Sequence, residues 1–315
     1  MSPPAEPKAS SGSAVYRGRF APSPTGPLHL GSLLAAVASY ADARAQDGVW
    51  LLRIEDLDRP RLVSGAAVSI QRTLSTFGLE WDEPVLWQST RLDAYDAALG
   101  QLQAQGLVYG CACSRTEIAA HAVHGIEGPI YPGTCRQGPP PGRQARSLRL
   151  MTNAEPILFQ DRIQGHQGHA VSEAVGDFVV RRADGIHAYQ LAVVVDDADQ
   201  GITHVVRGAD LLLSTPRQIL LQRYLRLPTP IYAHVPLVLD EAGRKLSKSL
   251  AALPLDPNDP LPALHLVWRL LGQTPLSGAG SVRAFWREAS AAWRIERVPR
   301  RLGLPTGACL PVKTY

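Results

Sequence analysis

The most constraining feature of the chain is a strand, loop, helix and strand in close succession near its N-terminus. Residues 16–21 have the pattern of a strand, and the Pro- and Gly-rich segment 22–27 interrupts it. Apolar residues then recur at helical spacing over 30–41, and Gly48 is a natural helix stop before the apolar strand 49–54. Two strands joined by a crossover helix predict a parallel sheet, so the expected fold class is α/β.

Composition excludes two broad classes of protein. With 45% hydrophobic and 19% charged residues over 315 positions, the chain has the balance of a globular protein rather than of a disordered one. It contains no apolar run of the roughly 18 to 20 residues that a membrane span needs. Residues 1–14 are rich in Pro, Ser and Ala and lack an apolar signal segment, so we expect a disordered tail and a cytoplasmic protein with no membrane partner.

The start of the predicted helix is a candidate phosphate site. Free N–H groups at a helix N-terminus can receive a phosphate, and His29 there can donate a hydrogen bond to a phosphoryl oxygen. Gly31 removes a side chain where a flat base can approach. A histidine that merely caps the helix or fills the core is the alternative. The chain has neither a Gly-x-Gly-x-x-Gly nor a P-loop motif, which argues against a nicotinamide enzyme and a P-loop ATPase.

Further candidates follow predicted strands, at the sheet edge where open parallel sheets bind ligands. Glu55, directly after the second strand, could pair with a substrate ammonium, and Arg207 could hold a carboxylate through two hydrogen bonds. Tyr189 would offer a hydroxyl at the same edge. The strands predicted in this part of the chain cover 178–182, 186–195 and 202–206.

Lysine is rare in this chain, and its placement is informative. Of the 32 basic residues only four are lysines; Lys245 and Lys248 share the stretch 244–249, and the other two lie near the termini. An ordinary basic surface loop of this protein would be expected to carry arginine. We therefore predict that the two ammonium groups close on a triphosphate, with a solvated basic loop as the alternative.

Cysteine placement predicts a metal site. Three of the four cysteines fall in one short window: Cys111, Cys113 and Cys135. Tetrahedral zinc requires a fourth ligand, for which the chemistry alone favours His121 or His124. Three reduced thiols without metal are the alternative.

Together these segments closely resemble the class I aminoacyl-tRNA synthetases, specifically the glutamyl branch. RFAPSPTG at 19–26, continued by HLGS at 29–32, is similar to the first signature of that branch, and KLSKS at 245–249 is similar to the second. The resemblance spans about 16–250. It implies a Rossmann-like catalytic domain with a parallel sheet that activates glutamate with ATP, with Mg²⁺ on the triphosphate.

The resemblance also assigns roles to residues. The expected glutamate-binding residues are Arg19, Ser23, Glu55, Tyr189 and Arg207. The expected ATP-binding residues are His29, Gly31 and Lys248, and the expected catalytic residues are His29, Lys245 and Lys248.

The C-terminal end departs from complete enzymes of that branch. Only 66 residues follow Ser249, a Pro-rich stretch and then a helix near 263–271, which leaves no room for an anticodon-reading domain. This truncated pattern resembles the glutamyl-queuosine tRNA(Asp) synthetases, which activate glutamate without tRNA and transfer it to queuosine in the anticodon of tRNA(Asp). The implied partner is queuosine-containing tRNA(Asp), and we expect a monomer. A short glutamyl-tRNA synthetase that charges the 3′ end and a non-catalytic glutamate-binding paralogue are the alternatives.

The same resemblance bears on the metal site and on the domain boundaries. The truncated family carries Cys-x-Cys followed by Tyr-x-x-x-Cys, which makes Tyr131 the first choice for the fourth zinc ligand and His124 the second. The zinc is expected to be structural, within an insertion over about 107–145. The expected domains are the tail, 1–14, the catalytic domain, 15–250, and a short helical segment, 251–315. Within that segment, the alternation of Trp and Arg over 283–301 fits either RNA stacking or ordinary packing.

Overall fold

The structure, a computed structural model, describes residues 15–240 and 255–305. Its helices are α1 (Leu30–Arg44), α2 (Ala66–Thr76), α3 (Leu92–Ala104), α4 (Arg115–His121), α5 (Val171–Ala174), α6 (Tyr189–Asp199), α7 (Thr215–Leu225), α8 (Leu261–Leu270) and α9 (Val282–Ala292). Its strands are β1 (Arg17–Phe20), β2 (Val49–Ile54), β3 (Leu86–Trp87), β4 (Val108–Cys111), β5 (His124–Gly125), β6 (Gly128–Pro129), β7 (Ser147–Leu150), β8 (Pro156–Asp161), β9 (Gly165–Ala170), β10 (Phe178–Arg181), β11 (His204–Gly208), β12 (Ile231–Val235), β13 (Leu237–Leu239) and β14 (Gly303–Pro305).

The predicted parallel sheet is confirmed, with α1 as its first crossover. Strand β1 pairs parallel with β2 from Arg17 opposite Val49, and β2 pairs parallel with β3. On the other side, β11 pairs parallel with β12, and β12 with β8. The Thr203 N–H donates to the Arg17 carbonyl at 3.0 Å, which joins β1 to the beginning of β11. Strands β2 and β3 therefore lie on one side of β1, and the later strands β11 and β12 lie on the other. Open α/β sheets bind ligands at the point where the strand order reverses in this way.

The strand predicted over 186–195 is wrong. After a turn at Gly185 the chain makes only an isolated bridge at His187 and then forms α6. The run from Gln190 to Asp197 is buried throughout, because α6 packs against α3 and α7. An apolar run buried on all sides has the same pattern in a helix as in a central strand, and burial here outweighs the β-propensity of its three valines.

The C-terminal helices pack onto the first helix. Trp286 and Trp293 are buried, and their indole N–H groups donate to the Phe77 carbonyl at 2.7 Å and to Asp42 Oδ1 at 3.0 Å. These tryptophans therefore belong to the core, and the alternative of base stacking on RNA is wrong for them. No helix in the part of the chain that the structure describes is long and apolar enough to cross a bilayer.

Candidate active site

A cavity of ≈330 Å³ opens at the point where the strand order reverses. Its lining includes every predicted substrate residue that falls in the described ranges: Arg19, Ser23, His29, Gly31, Glu55, Tyr189 and Arg207. Tyr189 reaches the cavity from the first residue of α6 rather than from a strand. The two remaining predictions, Lys245 and Lys248, lie outside the described residues.

The beginning of α1 forms one wall of the cavity. His29 is the N-cap residue, and its Nδ1 accepts a hydrogen bond from the Ser32 N–H at 3.3 Å. The histidine therefore caps the helix and also lines the cavity, so the two sequence interpretations are compatible. A Cβ on Gly31 would lie 3.2 Å from Cε1 of His29, which means that the glycine leaves space for the imidazole ring.

Arg207 supplies a buried cation to the lining of the cavity. It is 6% exposed at the end of β11. Its Nε donates to His234 Nε2 at 3.0 Å, and its Nη2 donates to Thr215 Oγ1 at 3.0 Å. Its Nη1 is buried and has no hydrogen-bond partner. Because a buried guanidinium nitrogen without a partner is rare and costly, this atom is suited to receive a carboxylate oxygen.

Glu55 supplies the negative charge of the cavity. It lies just beyond β2 and is 9% exposed, with Arg53 Nη2 at 3.4 Å from its Oε1. Burial raises the pKa of the Glu55 carboxyl to about 7, and the nearby charges of Arg53 and Arg19 offset this only in part. An ammonium group bound beside it would favour the ionised form.

A buried ion-pair network contacts both Arg19 and Glu55, and the sequence analysis did not predict it. Asp197 accepts two hydrogen bonds from Arg19, at 3.0 and 3.2 Å, and one from Arg53 Nη1, at 2.8 Å. Both arginines are buried, Arg53 completely. Since Asp197 occupies Nε and Nη2 of Arg19, the Nη1 of Arg19 is left for a ligand. The available sequence signals were Arg53, a charged residue inside the apolar strand β2, and Asp197, which follows directly on the apolar run 191–195 and Asp196.

The cysteine cluster has the spacing of a tetrahedral metal site. The sulfur atoms of Cys111, Cys113 and Cys135 lie within 4.8 Å of one another, and Cys113 and Cys135 are 3.7 Å apart. Tyr131 Oη lies 3.4 Å from Cys111 Sγ and 3.8 Å from Cys113 Sγ. Ligands at the usual zinc distances stand about 3.5 to 3.8 Å apart in a tetrahedron. Three thiolates and a phenolate oxygen therefore fit Zn²⁺.

The arrangement favours Tyr131 over the histidines as the fourth ligand. His124 is exposed in β5 and does not belong to the described cluster, and the side chain of His121 lies outside the described part of the chain. The Cys135 N–H donates to Tyr131 Oη at 2.9 Å, and the Arg149 guanidinium lies 3.8 Å from the centre of the tyrosine ring. Burial and the hydrogen bonds with the thiols of Cys111 and Cys135 raise the pKa of the Tyr131 phenol, and the Cys135 N–H lowers it only in part, so a bound cation would be what ionises this oxygen.

Comparison with known proteins identifies relatives along nearly the whole chain. A protein of Dechloromonas aromatica named Glutamyl-Q tRNA(Asp) synthetase is 57% identical over 290 residues, which cover 91% of this chain and 96% of that protein. A protein of the same name from Geobacter sulfurreducens is 56% identical over 277 residues, 84% of this chain and 88% of that one.

Two solved structures have the same fold. A glutamate tRNA ligase from Elizabethkingia meningosepticum, in complex with its amino acid, aligns at a TM-score of 0.75 with 26% identity over 92% of this chain and 66% of that chain. The glutamate-tRNA synthetase of Elizabethkingia anophelis aligns at 0.76 with 26% identity, over 92% and 68%.

Residues 16–256 match the family described as tRNA synthetases class I (E and Q), catalytic domain. This range contains the cavity, the cysteine cluster and both sequence signatures, which confirms the family resemblance and the α/β fold expected from them. The chain belongs to this family of class I tRNA synthetases.

Proposed function

We propose that this protein activates L-glutamate with ATP, without tRNA, and transfers the glutamyl group to queuosine in the anticodon of tRNA(Asp). Two relatives that are 57% and 56% identical to this chain carry the name of that activity, and the matches cover 96% and 88% of their lengths. The chain spans 66% and 68% of the two glutamate tRNA ligases, compared with 96% and 88% of these two relatives. Glutamate, ATP and tRNA are cytoplasmic molecules, so we place the activity in the cytoplasm.

The observation that carries this proposal is Arg207, which lines the cavity and whose buried Nη1 has no hydrogen-bond partner. Glutamate has two carboxylates and one ammonium. Arg207 and Arg19 would receive the carboxylates, and Glu55 would receive the ammonium. The hydroxyl groups of Tyr189 and Ser23, which also line the cavity, would add hydrogen bonds.

The first reaction forms a mixed anhydride. An α-carboxylate oxygen of glutamate attacks the α-phosphorus of ATP, the bond to the bridging oxygen breaks, and pyrophosphate leaves with the bonding electrons. His29 and Gly31 line the cavity and would face the phosphates of ATP, and Lys245 and Lys248 would neutralise charge that develops on the triphosphate. Mg²⁺ would be held mainly by the nucleotide.

The second reaction transfers the glutamyl group. A ring hydroxyl of the queuosine cyclopentenediol attacks the activated carbonyl, an ester forms, and AMP leaves while the hydroxyl proton passes to solvent. The cysteine insertion would hold Zn²⁺ through Cys111, Cys113, Tyr131 and Cys135. We assign this metal a structural role, because these ligands are not among the residues that line the cavity.

Trimming of labelled tRNA tests where the glutamate is attached. Queuosine-containing tRNA(Asp) is incubated with labelled glutamate and ATP, and the terminal adenosine is then removed enzymatically. The proposal predicts that the label stays on the trimmed tRNA and that tRNA(Asp) lacking queuosine accepts none. Label that leaves with the adenosine would show instead a short glutamyl-tRNA synthetase that charges the 3′ end.

A further inference from the structure

We propose that Asp161 and His234 are positioning residues that aim Arg207 at the substrate carboxylate without neutralising its charge. This inference rests on the proposed function, since it assigns to Arg207 a carboxylate ligand. It adds two buried residues that do not line the cavity and that no sequence motif pointed to.

The first link joins neighbouring strands. Arg207 on β11 and His234 on β12 are directly paired in register. The Nε–H of Arg207 donates to His234 Nε2 at 3.0 Å, and Thr215 holds the Nη2. With two of its three nitrogens fixed, the guanidinium has one orientation, and that orientation leaves Nη1 for a ligand.

The second link fixes the tautomer of the imidazole. His234 is fully buried, and its Nδ1 lies 2.6 Å from Asp161 Oδ2. Asp161 is itself held, because its Oδ1 accepts from the N–H groups of Ile163 at 2.9 Å and Gln164 at 2.8 Å. The carboxylate can only accept, so Nδ1 carries the proton and Nε2 is free to accept from Arg207.

A neutral acceptor has a consequence for binding. A carboxylate in place of the imidazole would form an ion pair with Arg207 and reduce its attraction for a substrate carboxylate. The imidazole orients the guanidinium and keeps its full charge. Burial and the charge of Arg207 lower the pKa of His234 to about 4, against the raising effect of Asp161, and Asp210 is the further charged group that acts on the ring. The ring is therefore neutral at the pH of the cytoplasm.

Exchange kinetics with two matched variants test the proposal. The KM values for glutamate and for ATP are measured by glutamate-dependent exchange of pyrophosphate into ATP, without tRNA. His234→Leu removes the acceptor, so the KM for glutamate should rise at least about tenfold, as expected for the loss of a charged hydrogen bond. The KM for ATP should stay within about twofold. His234→Gln has a similar volume and can accept through Oε1, and it should remain within about threefold of the wild type for both substrates.

His204→Leu is the matched control. His204 begins the same strand as Arg207 but stacks on Tyr16, with ring centres 4.0 Å apart, and it is not part of the cavity lining. Its two KM values should be unchanged. Equal KM values for glutamate in His234→Leu and His234→Gln would overturn the proposal, as would a parallel rise in the KM for ATP.

A measurement on the wild type does not depend on the folding of any variant. Nitrogen-15 NMR of histidine side chains should show His234 protonated at Nδ1 only, at pH 7.5. A proton on Nε2, or a charged ring, would overturn the inference. Absence of exchange in the wild type would instead overturn the proposed function, and the NMR result would still decide the state of the imidazole.

Discussion

Replacement of Asp197 by asparagine should destabilise the protein strongly. Asp197 is 6% exposed. Its carboxylate accepts three hydrogen bonds from two buried guanidinium groups, those of Arg19 and Arg53. Asparagine keeps one acceptor oxygen but turns an NH₂ group toward a cation. Removing one member of a buried ion pair costs about 3 to 5 kcal/mol. In this variant Arg53 would keep its ion pair with Glu55, at 3.4 Å, and its hydrogen bond to Gln200 Oε1. We therefore expect the lower end of that range, about 3 kcal/mol.

Urea unfolding at pH 7.5 measures this change. A loss of about 3 kcal/mol should lower the midpoint by about 1 M for a chain of this size. Asp199→Asn is the matched control on the same helix: its carboxylate pairs with Arg91 but is 52% exposed, so its loss should cost less than about 1 kcal/mol. A midpoint for Asp197→Asn within about 0.3 M of the wild type would refute the reasoning.

The pH dependence of the same difference provides a second check. Burial alone would raise the pKa of Asp197, but the charges of Arg19 and Arg53 outweigh it, and the pKa is lowered. The stability that this carboxylate contributes is therefore present above the unfolded pKa of about 3.9 and is lost as the pH falls through the lower folded value. The difference between wild type and Asp197→Asn should shrink on acidification below about pH 4.

Three further predictions concern the substrates and the metal. The unliganded Glu55 carboxyl has a pKa of about 7, so its ionised fraction, and with it the affinity for the ammonium group, increases with pH. The KM for glutamate should therefore fall about tenfold from pH 6 to pH 8, and Glu55→Gln should abolish this dependence. A flat pH profile of the wild type would contradict the role of Glu55. Cys113→Ser should lose bound zinc by elemental analysis. Cys309→Ser, at the fourth cysteine, which is distant from the other three in sequence, should retain it, and equal zinc contents in the two variants would exclude the cluster as the metal site. Lys248→Ala should depress the rate of pyrophosphate exchange far more than the affinity for glutamate, because its charge acts mainly in the transition state, and an equal loss in both would refute that role.

The sequence predicted the parts of the site that follow from local patterns. His29 and Gly31 occur at the start of a helix with clear apolar periodicity, and Glu55 follows a strand that pairs as expected. Arg207 could be placed because it directly follows the predicted strand over 202–206. In each case the neighbouring residues in the sequence determine whether a helix or a strand forms, and at which end of it the side chain lies.

The pairings behind the site could not be predicted, because they join residues distant in sequence. Arg19 and Asp197 are 178 positions apart, and Asp161 and His234 are 73 apart. Which buried acid meets which buried base depends on strand order and helix packing, and a single sequence does not specify either. The error over α6 has the same origin, since a run that is apolar on every side does not show whether it is a strand or a helix.

Glutamate-dependent exchange of labelled pyrophosphate into ATP, in the absence of tRNA, tests most directly whether this cavity joins glutamate to AMP. The account predicts exchange with wild-type protein and L-glutamate, little exchange with L-glutamine, and a loss of at least about tenfold in kcat/KM for glutamate in Arg207→Gln, which removes the buried cation. Failure of the wild-type protein to support any exchange with glutamate would contradict the account and favour a non-catalytic glutamate-binding protein.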